Sequence, residues 1–191
     1  MPAPFFVHIC FVREKKPDWL SRLIMRFEKT KFSHALCLYT TESGERRIFH
    51  SLEVGTIDEP AAPFFEDHAV AFAYKVKMAV QREDFLAHVA ARTAKVEEDG
   101  KPVAKVEYSF SQYINQAMRL LKLPFVPVRN GDKKAICSEE QYMVLRMSKI
   151  LHKIGDLDQD TVSPRTLMEF LARQTWEGGG NVARDLYPLN G

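Results

Sequence analysis

Two short strand-like segments, Phe32–Thr40 and Arg46–Leu52, stand on either side of the turn Glu42-Ser43-Gly44-Glu45. That succession most limits what the chain can fold into. Runs rich in aromatic and branched residues around a glycine-bearing turn form an antiparallel hairpin, not a helical pair. A hairpin alone does not bury its apolar side, so further strands must flank it. Phe5–Val12 is a nearly unbroken apolar run and reads as a buried strand. Val70–Ala79 alternates, with Val70, Phe72, Tyr74, Val76 and Met78 on one side and Ala71, Ala73, Lys75 and Lys77 on the other.

Helical spacing fills the intervals. From Pro17 to about Glu28, the residues Trp19, Leu20, Leu23, Ile24 and Phe27 make an apolar face. Arg82–Val96 and Ser109–Leu123 read as amphipathic helices, and Ser138 to about Leu151 as a stronger one. Ser138-Glu139-Glu140-Gln141 has capping-box form, which places that helix's start immediately after Cys137. Ser163-Pro164 opens a last helix. Gly55–Asp67, Glu97–Pro102 and Asp156–Val162 read as loops. The pattern is α+β, a small antiparallel sheet with helices against it. Its 191 residues suit a single domain over 1–175 and a loosely held C-terminal tail over 176–191.

Composition narrows the class. A net charge of +2, with acidic residues among the basic ones, gives no ground for nucleic-acid binding. The three cysteines, Cys10, Cys37 and Cys137, are too few and too scattered for a disulfide framework or a zinc site. His8, Arg13, Glu14, Lys15 and Lys16 interrupt the N-terminal apolar run, so no signal peptide is expected. No apolar run has the length of a membrane span. The expected place is the cytoplasm, with delivery in a phage particle or by an unusual export route as alternatives. Asp156-Leu157-Asp158-Gln159-Asp160 resembles the opening of a calcium loop, but Thr161 and Leu167 stand where glycine and glutamate are required. Neither a metal nor a cofactor is expected.

The chemistry rests on a histidine and a cysteine far apart in sequence. His34 lies in Phe32-Ser33-His34-Ala35, and Cys137 in Ile136-Cys137-Ser138-Glu139. A thiol is a nucleophile as its thiolate, and an adjacent imidazole can take the proton. At a helix start, backbone N–H groups and the helix dipole favour the thiolate and can hold an oxyanion. Glu139 and Glu140 oppose ionisation if they face the sulfur, and Lys133 and Lys134 offset them. If Ser33–Thr40 and Gly44–Ser51 pair as a tight hairpin, His50 lies directly opposite His34 and can orient it. A one-residue slip would substitute Phe49 or Ser51, and Glu53 is an alternative orienting group. Ser138 is an oxyanion candidate, and Tyr108 and Tyr39 are candidates to line a substrate cleft. The competing reading makes Cys137 an inert buried cysteine and His34 a core histidine. Cys10 and Cys37 read as packing, and His8, His68, His88 and His152 as surface or packing residues.

Taken in order, Ile9-Cys10-Phe11-Val12-Arg13, Trp19–Ile24, Phe32-Ser33-His34-Ala35, Tyr108-Ser109-Phe110, Cys137-Ser138-Glu139 and Ser163-Pro164-Arg165-Thr166-Leu167 resemble the circularly permuted NlpC-type papain-like hydrolases, in particular the YiiX-like branch. The resemblance spans about residues 5–172. It implies a permuted papain-like fold, a small antiparallel sheet or open barrel, with Cys137 as nucleophile and His34 as base. The third position falls on His50, where YiiX-like members are expected to carry glutamate. Histidine there is similar to the lecithin retinol acyltransferase branch. The resemblance implies a cysteine-dependent hydrolase cleaving an amide, in a peptide or a peptidoglycan-derived fragment, through a thioester. A lipid ester or N-acyl amide is the alternative substrate, and a non-enzymatic interaction module the alternative role.

Overall fold

A computed structural model describes residues 4–52, 54–98, 101–104, 107–108, 134–135, 137–150, 157, 162–177 and 180–185. In chain order the elements are β1 (Phe6–Glu14), α1 (Trp19–Glu28), β2 (His34–Thr40), β3 (Arg46–Leu52), β4 (Gly55–Pro60), α2 (Ala61–Asp67), β5 (His68–Lys77), α3 (Arg82–Thr93), β6 (Lys95–Glu98), β7 (Lys101–Ala104), β8 (Glu107–Tyr108), β9 (Lys134–Ala135), α4 (Cys137–Arg146), α5 (Pro164–Glu177) and β10 (Val182–Asp185). The architecture is α+β, with a six-stranded antiparallel open sheet in the order β10-β5-β1-β2-β3-β4.

Alternation along the strands divides the core in two. On one side Val7, Ile9, Phe11, Cys37, Phe49, Tyr74 and Val76 meet Phe85 and Val89 of α3, Val144 and Leu145 of α4, and Leu167 and Phe170 of α5. On the other, Cys10, Val12, Leu36, Leu38, Ile48 and Ala73 are covered by α2 through Ala61, Phe64 and Phe65. A bulge, where Phe11 pairs with Phe72 and Val12 with Val70, moves Val70 to the α2 side. The two-sided alternation expected for β5 therefore fails at its start. No described helix is long and apolar enough to cross a membrane.

Several boundaries differ from the sequence expectation. Gly55–Asp67 is a strand followed by a helix, not a loop. Pro60 ends β4 at the edge of the sheet, and Pro63 sits in the first turn of α2, where proline's missing N–H costs no helical bond. Arg82–Val96 stops being helical at Thr93, and the expected polar loop after it is a hairpin, β6 with β7. Residues 182–185, assigned to a loose tail, form an edge strand on β5, with Val182 buried. The tail boundary at 176 also falls inside α5. The expected helix Ser109–Leu123 lies outside the described residues, as do most of Asp156–Val162, Lys133 and His152.

The hairpin carrying the two histidines is also shifted. Cys37 pairs with Phe49 and Thr40 with Arg46, so the loop runs over 41–45 instead of being a tighter turn. Its closure is local: the Thr41 N–H donates to the Glu45 carbonyl at 2.9 Å, the Glu45 N–H donates to the Thr41 hydroxyl at 3.1 Å, and Gly44 takes φ +85°. The register therefore differs by two positions from one that sets His34 opposite His50. A two-residue shift preserves the side of the sheet on which each side chain stands.

Candidate active site

His34 begins β2 and His50 lies near the end of β3, so both stand at one end of the sheet, on the α2 side. They are diagonal neighbours, a separation that imidazole rings can bridge. His34 Nε2 lies 2.9 Å from His50 Nδ1, and the ring centroids are 5.1 Å apart at 69°. On its far side, His50 Nε2 lies 3.0 Å from Glu59 Oε1 of β4. Glu59 pairs with Ile48, which sets its side chain on the same face. His50 is thus the residue the structure places against His34, while Glu53 lies outside the described residues.

This chain of contacts fixes the protons. Burial lowers the pKa of His50 to about 4, and His68 acts in the same direction. His34 is held well below the ordinary histidine range by burial, then by His50 and His68. Both rings are neutral near pH 7, so each carries one N–H. A carboxylate can only accept, so His50 donates from Nε2 to Glu59 and accepts at Nδ1 from His34 Nε2–H. The lone pair of His34 is then on Nδ1, which has no hydrogen-bond partner among the described residues. The sequence reading missed Glu59, because its segment was assigned to a loop. Thr56-Ile57-Asp58-Glu59 holds a single apolar side chain, so no strand alternation marks the segment in the sequence.

Aromatic rings wall this site. Phe64 meets the His50 ring edge-on at 5.1 Å and lies 6.5 Å from the His34 ring. His68, expected to be packing, stacks on Phe64 at 3.8 Å and 9°, and its Nδ1–H donates to the Phe64 carbonyl at 3.0 Å. It thus stands one ring behind the histidine pair.

Cys137 is the first residue of α4 and is fully buried. The helix starts one residue earlier than the capping-box reading requires, and the box is not formed. The Ser138 hydroxyl donates to the Val162 carbonyl at 2.7 Å, and Gln141 Nε2 donates to the Phe49 carbonyl at 3.1 Å. Any oxyanion role for Ser138 therefore falls to its backbone N–H. A buried polar line fixes this turn of α4. Arg92 of α3 donates from Nε to both Glu140 oxygens, at 3.1 and 3.2 Å, and from Nη2 to Oε1. The Thr56 hydroxyl also serves Glu140 and lies 2.8 Å from that of Ser51. The Glu140 carboxylate is thus engaged by α3 and β4. Tyr108 lies in β8, whose backbone pairs in parallel with Ala135, two residues before the cysteine.

The end of α4 bridges to β5: the Ala79 N–H donates to the Met147 carbonyl at 2.8 Å, and the Lys149 N–H to the Lys77 carbonyl at 2.9 Å. That edge of the sheet is where β2 ends and β1 begins. With Gln141 over Phe49 midway, the N-terminus of α4 points toward the opposite edge, where His34 and His50 stand. The cysteine helix and the imidazole pair lie on opposite faces of the sheet, and Sγ and His34 Nδ1 could meet only past the end of β2. The other two thiols have no such setting: burial pushes Cys10 up to about 12 and Cys37 well above its ordinary value.

No group of three or more His, Cys, Asp or Glu side chains among the described residues could hold a metal ion. No protein-family model matches the chain. A search of curated proteins likewise gives no match.

Proposed function

We propose that the protein is a cysteine-dependent hydrolase of the permuted NlpC-type papain-like kind, acting on an amide bond. The observation that carries the reading is the Glu59–His50–His34 chain, which leaves Nδ1 of His34 as the basic nitrogen at the end of the sheet toward which α4 points. In the proposed reaction His34 Nδ1 takes the Cys137 thiol proton and Sγ attacks the carbonyl carbon. Backbone N–H groups of the first turn of α4 hold the oxyanion. Collapse expels the amine, which takes its proton from His34 and leaves a thioester. Water, deprotonated by the same nitrogen, hydrolyses the thioester. His50 orients His34, and Glu59 holds the tautomer of His50, in place of a single carboxylate third residue. The substrate class follows the sequence resemblance alone: a peptide or a peptidoglycan-derived fragment.

The test is labelling by an iodoacetamide probe across pH, combined with incubation with muropeptides and with acyl lipids read by mass spectrometry. Selective labelling of Cys137 well below pH 8, weakened in His34→Ala, together with cleavage of a muropeptide, is the expected result. Equal, slow labelling of all three thiols, indifferent to His34, refutes the enzyme reading. The complete burial of Cys137 favours a second reading, an interaction module on the same fold without turnover. That reading predicts the equal, slow labelling.

A further inference from the structure

Helix α1 joins the end of β1 to the start of β2, and so lies at the edge of the sheet where His34 stands. Its ends are fixed. Asp18 caps it by accepting from the Ser21 N–H at 2.6 Å, and Lys29 closes it in the left-handed region with its N–H on the Met25 carbonyl. Glu28 is buried and accepts the Arg165 N–H at 3.0 Å. That contact turns the Glu28 side of the helix inward. Ser21, Ile24, Met25 and Phe27 are half-buried.

The opposite side faces out. Trp19 is 70% exposed and Leu23, one turn on, 38%. Arg22 and Arg26, also exposed and one turn apart, run beside them. Lys16, Lys29 and Lys31 are exposed at the two ends of the helix. Acidic groups lie at the helix start, where Asp18 caps the helix, Glu14 accepts from the Asp18 N–H and the Ser21 hydroxyl, and the exposed Glu66 and Asp67 adjoin Lys15, while Glu28 is buried; along the outer face itself the charges are those of Arg22 and Arg26. An exposed tryptophan and leucine bordered by arginines, with lysines at both ends that have no acidic partner among the described residues, suit the boundary between lipid headgroups and acyl chains.

We propose that α1 is a peripheral docking helix that seats Trp19 and Leu23 in the headgroup layer of an anionic bilayer, with Arg22 and Arg26 on lipid phosphates. The positive charge around the apolar pair is what selects an anionic membrane over a neutral protein surface. Docking of this kind brings the His34 end of the sheet to the lipid. Resting on the function proposed above, this makes amides carried on membrane lipids the substrates nearest the site.

The test is co-sedimentation of the full chain with vesicles of pure phosphatidylcholine and of phosphatidylcholine with phosphatidylserine. Binding to the anionic vesicles only, weakened by salt, is expected. Arg22→Gln with Arg26→Gln should lower partitioning about 25-fold, at roughly fivefold per cation. Trp19→Ser with Leu23→Ser should abolish it, and because these side chains are exposed the variant should keep the melting temperature of the parent. Equal binding to neutral vesicles, no binding at all, or undiminished binding by the Trp19/Leu23 variant overturns the proposal. So does lipid-free dimerisation that the same variant abolishes, which would make this face a contact between copies. Cys137→Ser should bind vesicles as the parent does. Intact binding with no turnover of any acyl substrate would therefore sink the enzyme reading and leave the docking reading standing.

Discussion

Removing Arg92 should make the stability of this protein strongly dependent on pH. Glu140 is fully buried and Arg92 nearly so, at 0% and 16% side-chain exposure. Burial raises the Glu140 pKa, while Arg92 and then the Thr56 hydroxyl pull it down. In Arg92→Ala the main opposing influence is gone and Thr56 remains. Breaking such a pair costs about 3–5 kcal/mol if the charge stays. The carboxylate has an escape, which is to take a proton. Relative to an unfolded pKa of about 4.3, protonation costs about 1.4 kcal/mol per pH unit, so the loss is at most about 4 kcal/mol at pH 7 and about 1 kcal/mol at pH 5, the parent already bearing a part because its own Glu140 pKa is raised. With the folded pKa raised above the unfolded one, stability is intact below about pH 4 and drains as pH rises toward the folded value. For a chain of this length that ceiling corresponds to a fall in Tm of roughly 8–16 °C at pH 7 and about 2–4 °C at pH 5. Thermal unfolding of parent and variant across that range measures it. Arg92→Leu with Glu140→Leu should recover most of the loss. A pH-independent loss, or a double variant as unstable as the single one, would refute the argument.

Two further outcomes follow from the same kind of reasoning. Glu59→Gln replaces an acceptor-only carboxylate with an amide that can either accept or donate, so it no longer dictates the proton on His50 Nε2 and frees both imidazoles to change tautomer; turnover of any identified substrate should fall by about 10–100-fold with Tm nearly unchanged, and undiminished kcat would discount the relay. Burial holds the Glu28 carboxyl up near 7, against the Arg165 N–H, so Glu28 contributes stability at acid pH that is lost as pH rises through 7. Glu28→Gln keeps the acceptor without the charge, so it should raise Tm at pH 8.5 by several degrees and at pH 5 by no more than about 2–4 °C; equal shifts at both pH values would contradict this.

The sequence carried the sheet better than its edges. β1, β2, β3 and β5 are long and strongly apolar, and their pattern alone marks them. β4 and β10 are short, polar edge strands, defined by the neighbour that supplies their hydrogen bonds and not by residue pattern. Misreading β4 as loop had a cost at the site, because Glu59 became invisible with it. The His34–His50 contact was legible because side-chain alternation survives a two-residue error in register. The register itself was not, because the Thr41 hydroxyl contact that widens the loop has no signature in the hydrophobic pattern. At α4 the capping-box letters were present, but the Ser138 hydroxyl and the Gln141 amide were recruited by Val162 and Phe49. Tertiary partners of that kind cannot be read along the chain.

β1 is an inner strand, with β2 on one side and β5 on the other, whereas β10 hangs on the outer edge of β5. The polypeptide is therefore unequally tolerant of trimming. Clipping the stretch after Glu177 strips a border and bares the ladder of β5. Clipping the opening stretch through Glu14 divides the sheet into halves that share no ladder. A cut within β1 should therefore unfold the molecule outright, whereas loss of β10 should be survived.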